Sequence, residues 1–156
     1  DMEEATDPDA LPLGLAASEI MAVLPPGGTA ITQGYTLVKR LAHNFGKRQF
    51  RLLLNRMESP EQAQAVAHNF AHTAERYLGV SIDYLGYIPL DERLTRAGHL
   101  HTSVVDAFPV AQSTSQFRKL ADGLLRWPQP PTLGSVGGFM QRVIQGSSLV
   151  DACRRG

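Results

Sequence analysis

The sequence predicts an α/β fold, a parallel sheet flanked by helices, on three observations. Short apolar runs alternate with stretches of helical periodicity, the helical stretches carry start and stop residues, and the order strand, helix, strand, helix, strand at these lengths implies right-handed crossovers between parallel strands. The pattern turns wholly helical after Asp91, so a helical C-terminal extension follows the partial sheet.

The first apolar run, Ser18 to Leu24, stops at Pro25-Pro26-Gly27-Gly28 and reads as a strand ending in a loop. A helix follows. Thr29 is its expected cap, and Ile31, Tyr35, Val38, Leu41, Ala42 and Phe45 recur at helical spacing before Gly46. Phe50 to Leu54 is a second, buried strand, closed by Asn55-Arg56-Met57. Ser59-Pro60-Glu61-Gln62 then sets a capping hydroxyl, a proline at the first helical position and a reciprocal glutamine, which together satisfy amide donors that a helix start leaves open. The apolar stripe of that helix is Ala63, Val66, Ala67, Phe70, Ala74 and Tyr77, and Gly79 ends it. Val80 to Ile88 resumes a strand. A short helix from Asp91 to Ala97 and a longer one from Ser113 to Trp127 precede the breaker Pro128-Gln129-Pro130-Pro131. The chain therefore divides into an α/β unit at 1–127, a proline-rich linker at 128–134 and an amphipathic helix with its tail at 135–156.

Bulk properties narrow the function. At 156 residues one domain is expected. The 15 basic and 15 acidic side chains cancel, so no long-range field gathers nucleic acid, and direct nucleic-acid binding is not expected. A single cysteine, Cys153, permits no internal disulfide and suits a reducing cytoplasm. No apolar run reaches the roughly 18 residues that span a bilayer, and the acidic start is unlike a secretory signal. The opening Asp1-Met2-Glu3-Glu4 reads as the start of a fragment.

In parallel α/β sheets ligands sit beyond the C-terminal ends of the strands. Pro25 to Thr29, Asn55 to Glu58 and Pro89 to Arg93 should therefore share one edge. The phosphate-gripping pattern G-x-x-x-x-G-K-[ST] is absent, so the chain should not hydrolyse a nucleotide alone. Asn55-Arg56 either ends its strand as a turn, which spacing alone favours, or presents a carboxamide to a base edge, since that group offers a donor and an acceptor together. Pro89-Leu90-Asp91 is a rigid loop over a ligand, a proline followed by an Asp N-cap, or both. The paired acids Glu3-Glu4 and Asp91-Glu92 read as solvated. His68 and His72 have the spacing of two helical metal ligands, but no third ligand is spaced nearby and they lie off the apolar stripe, so a solvent-facing polar pair is the better reading. No G-x-S-x-G or other nucleophile apparatus is visible, and no catalytic residue is assigned.

Beyond the linker, Val136, Phe139, Met140, Val143 and Ile144 follow helical spacing, with Gln141, Arg142 and Gln145 opposite. Such a helix either lies in a membrane interface or packs back on the domain.

Taken in order, the stretches Thr29 to Lys39, Phe50 to Met57, Tyr84 to Asp91, Ala107-Phe108-Pro109 and Trp127-Pro128 resemble the C-terminal half of the MinD/ParA family of deviant P-loop ATPases, most closely its flagellar-number regulator branch (FlhG/FleN-like). The resemblance covers about Ser18 to Ile144. It implies a Rossmann-like P-loop NTPase fold without its N-terminal half, with Asn55, Arg56, Pro89, Leu90 and Asp91 at the adenine end of ATP or ADP. Mg and the phosphates would be held in the intact family member. It also implies a homodimer, a flagellar transcription activator and an SRP-type GTPase as partners, and reversible attachment through Val136 to Ile144 to the inner face of the cell membrane. The sequence departs from the family at Ala5, where a glycine is usual near an acid that Asp1 would match, and at Pro25-Pro26-Gly27-Gly28, where relatives commonly carry an acid. The alternative is a non-catalytic pseudo-ATPase that serves as a protein-interaction module.

Overall fold

The computed structural model describes residues 20–126. Ser18 at the expected start of the first strand, Trp127, the linker and the amphipathic stretch Val136 to Ile144 lie outside the described residues.

Three strands, β1 (Met21–Leu24), β2 (Gln49–Met57) and β3 (Ser81–Pro89), form a sheet in the order β1-β2-β3. Both pairings are parallel. The crossovers are α1 (Gly28–Phe45) and α2 (Pro60–Leu78), and α3 (Glu92–His99), α4 (Val104–Ala107) and α5 (Gln112–Leu125) follow β3. The architecture is thus the expected parallel sheet flanked by helices with a helical C-terminal region. α4 is an element the periodicity did not reveal, because four residues are too short to repeat a helical stripe.

The core lies on one face of the sheet. Phe50, Leu52 and Leu54 alternate inward along β2, and α1 contributes Val38, Leu41 and Ala42 while α2 contributes Ala63, Ala67, Phe70, Ala74 and Leu78. The large residues on the strand meet small ones on α2, which lets that helix approach closely. α1 approaches β1 through Gly34, where an added Cβ would lie 2.6 Å from Leu24 Cδ2. The opposite face, carrying Arg51 and Leu85, is crossed by Leu120 and Leu124 of α5 around a cleft of about 250 Å³. A second, smaller cluster of Ala97, Val104 and Ala111, with Leu94, Phe108 and Phe117 against it, holds α3, α4 and α5 together.

Four expectations are corrected. Thr29 does not cap α1: the cap position is Gly27, two residues earlier, whose φ of 113° is open to glycine and strained for other residues, and no side chain caps the helix. β2 does not close at Asn55 but runs through Asn55 and Arg56 to Met57, which pairs with Pro89. Between Leu54↔Tyr87 and Met57↔Pro89 the β2 strand spends one residue more than β3, a β-bulge that sets Arg56 at a left-handed φ of 58°. A matching bulge on β3, between Leu52↔Tyr84 and Leu53↔Gly86, restores the register, with Gly86 at φ 135°. Tyr77 leaves the stripe and is 67% exposed, since Leu78 one residue on takes the buried position instead. The last helix begins at Gln112 rather than Ser113, which moves Ser113 into its first turn.

The helix ends otherwise follow their residues. Ser59 accepts the Gln62 amide at 3.1 Å and the Gln62 side chain accepts the Glu58 amide at 3.0 Å, so the reciprocal cap forms with the glutamine reaching one residue further back than the Ser59 amide. Gly46 and Gly79 stop α1 and α2 in left-handed conformations.

Candidate functional site

Parallel pairing puts the ends of β1, β2 and β3 on one side, which gathers the three loops marked in the sequence. Leu24 is in register with Leu54, so Pro25 departs from the sheet beside Asn55. Met57 is in register with Pro89, and the Leu90 amide donates to the Met57 carbonyl at 2.9 Å. Asn55, Arg56, Pro89, Leu90 and Asp91 are therefore neighbours on one edge rather than separate loops. Pro89 is buried, Asn55 and Asp91 are half-buried, and Arg56 and Leu90 are exposed. A buried proline at the strand end holds the backbone, while Leu90, 54% exposed, offers an apolar surface to whatever occupies the edge. The left-handed backbone at Arg56 is strained for a non-glycine residue, at a cost of roughly 1–2 kcal/mol, and such strain concentrates at binding sites.

Asp91, expected as a solvated acid, is half-buried and has both carboxylate oxygens engaged in hydrogen bonds. One carboxylate oxygen accepts the Arg93 amide at 2.9 Å and caps α3, the N-cap role foreseen for it. The other accepts the Ser113 amide at 3.1 Å and the Ser113 hydroxyl at 2.7 Å. The residue at the N-cap of α5 is Ala111, whose side chain has no acceptor, so Asp91 supplies the side-chain cap to Ser113, 22 residues further along the sequence. One carboxylate thus closes two helix starts. Burial opposes its charge, but the Ser113 hydroxyl and amide, the Arg93 amide and the Arg93 cation outweigh that and hold the carboxyl below its ordinary range.

Ser113 is the residue sequence reasoning missed as a participant. It is fully buried, as is Thr114, whose hydroxyl donates to the Phe108 carbonyl at 2.8 Å and the Val104 carbonyl at 3.2 Å. The signal the sequence offers is the adjacent hydroxyl pair Ser113-Thr114 at a helix start; only the fold shows that both are buried and so need partners. The partner's identity could come only from the fold.

His68 and His72 are exposed, with ring centroids 6.3 Å apart, and no group of three metal-ligating side chains occurs among the described residues. Among those residues no helix is long and apolar enough to cross a membrane. An apolar cavity of about 600 Å³ opens between α3, α4 and α5, with Leu94, Ala97, Val104 and Phe117 in its walls.

No family model matches the chain. Among curated proteins it is similar to the antiactivator FleN of Pseudomonas aeruginosa, 31% identical over 131 residues that make up 83% of this chain and 47% of FleN. The chain thus spans about half the length of the relative it matches. Its loops in order, the parallel sheet that gathers them and this identity agree that the chain stands in a FleN/FlhG-like relationship, matched along about half of FleN.

Proposed function

We propose that this chain carries the base-binding edge of a MinD-like ATP-binding ATPase that restrains flagellar number or placement. The observation that carries the reading is the 2.9 Å bond from the Leu90 amide to the Met57 carbonyl, which joins the Asn55 to Met57 segment to the Pro89 to Asp91 loop at the C-terminal edge of a parallel sheet. On this reading the Asn55 carboxamide meets the donor and acceptor of the adenine edge, and Leu90 lies against the flat face of the base. Arg56 places a cation beside them, Pro89 stiffens the loop, and Asp91 holds it in place. Mg and the phosphates are held by residues that this chain does not supply, so its own affinity for ATP or ADP is weak and it does not hydrolyse nucleotide alone.

The similarity to FleN, an antiactivator, supports a regulatory partner, here a flagellar transcription activator, with an SRP-type GTPase as a second. The working form is a nucleotide-controlled homodimer in the cytoplasm, reversibly attached to the inner face of the membrane through Val136, Phe139, Met140, Val143 and Ile144.

Calorimetric titration with ADP tests the base-binding edge, using both this chain and the full gene product. Asn55→Ala should weaken binding about tenfold, the worth of one or two lost hydrogen bonds to the base. Absence of ADP binding by the full gene product would sink the reading. It would favour instead a pseudo-ATPase that acts as an interaction module, a reading to which the 600 Å³ apolar cavity between α3, α4 and α5 lends support. For the amphipathic stretch, Phe139→Glu should reduce sedimentation with anionic liposomes. Unchanged lipid binding together with a lower melting temperature would mean that the stretch packs on the domain.

A further inference from the structure

Two hydrogen-bonded steps lead from the candidate base edge into the helical region. Met57 on β2 accepts from Leu90, and the next residue, Asp91, accepts from both the amide and the hydroxyl of Ser113 in the first turn of α5. Ser113 is 0% exposed, so neither group has water as a substitute partner. The adjacent Thr114 ties the same turn to the carbonyls of Val104 and Phe108, at the two ends of α4. The first turn of α5 is therefore clamped between the loop and α4.

We propose that Ser113 is a positioning residue for nucleotide binding: by holding Asp91 it fixes the Pro89 to Asp91 loop against the base, and the same bonds couple occupancy of that edge to the first turn of α5. This rests on the base-binding reading above. A loop already held pays less ordering entropy when a ligand arrives, so loosening it lowers affinity without removing any contact to the ligand. Linkage makes the effect mutual, and a ligand that orders the loop must also steady the turn that holds it. Asp91 and Ser113 touch each other and the backbone, and the role requires neither to touch the nucleotide.

The test is ADP titration of the full gene product together with amide hydrogen exchange. In the wild type, ADP should slow exchange at Leu54 to Met57, at Leu90 to Arg93 and also at Ser113 to Phe117. Ser113→Ala keeps the amide bond to Asp91 but loses the hydroxyl bond, so it should weaken ADP binding about fivefold, the scale of one hydrogen bond, and reduce the protection at residues 113–117 while sparing that at Leu54 to Met57. Thr114→Ala controls for general loosening. It removes an equally buried hydroxyl of the same turn without touching Asp91, and should lower the melting temperature with ADP affinity kept within about twofold. If Ser113→Ala does not fold, Asp91→Asn serves, since it keeps the shape but leaves one carbonyl oxygen for two helix starts. Unchanged ADP affinity in Ser113→Ala, or an equal loss in Thr114→Ala, overturns the proposal and leaves the base-binding edge standing. A wild type that binds no ADP removes the edge itself, and this role with it.

Discussion

Asp91→Ala should lower the melting temperature by about 10 °C or more, a large effect for a half-buried side chain at the end of a strand. The substitution removes the cap of α3, typically worth about 1 kcal/mol, and the external cap of α5, worth a similar amount. It also strips the fully buried Ser113 hydroxyl of its acceptor, which adds roughly 1–3 kcal/mol. The charge gives a second readout. The folded carboxyl titrates below its unfolded counterpart, so its contribution is fully present above the unfolded value, near pH 4, and is lost as pH falls through the lower folded value. Wild-type stability should therefore drop in acid more steeply than that of Asp91→Asn, which has no proton to take up. Parallel acid curves for the two proteins, or a loss in Asp91→Ala below about 1 kcal/mol, would show that the carboxylate does not hold both helices.

Gly34→Val should be as damaging, for a steric reason. A Cβ at position 34 would stand 2.6 Å, 2.9 Å and 3.3 Å from three atoms of the Leu24 side chain, and Leu24 is buried at 1% exposure among the core residues it would have to displace. Overpacking of this kind costs about 1–3 kcal/mol and occasionally more, beyond what a better helix former returns, at most about 1 kcal/mol. The diagnostic is a double mutant. Leu24→Ala alone should cost about 2–5 kcal/mol by leaving a cavity, and Gly34→Val should fill part of that cavity. The pair should then lose at least about 1 kcal/mol less than the sum of the single losses, measured from urea midpoints at constant slope. Losses that add within about 0.5 kcal/mol would mean that α1 and β1 do not meet at these residues.

The features legible in the sequence were those set by near neighbours. Ser59, Pro60 and Gln62 fall within one turn, so their cap could be read directly, and so could the stops at Gly46 and Gly79. The alternation of Phe50, Leu52 and Leu54 gave a buried strand, and the alternation of strands with helices gave the parallel order that brings Asn55 and Pro89 to one edge. Where a short-range rule had two outcomes, the sequence could not choose. Thr29 was the expected cap of α1, but the chain enters the helix from Gly27, at a positive φ of 113°. Tyr77 and Leu78 competed for one buried position, and the aromatic ring stayed outside against Arg76.

By itself the sequence determined the layered parallel fold and the edge on which its loops gather, because each depends on periodicity, caps and spacing along the chain; the order of those loops carried the resemblance to FleN-like regulators. Only the tertiary structure decided how that edge is built. The bulge at Arg56 appears only when β2 is laid against β3. The partner of Asp91 lies 22 residues away, across a strand end and two helices. A hydrogen bond at that separation depends on where packing leaves each helix, and no local pattern of residues records it.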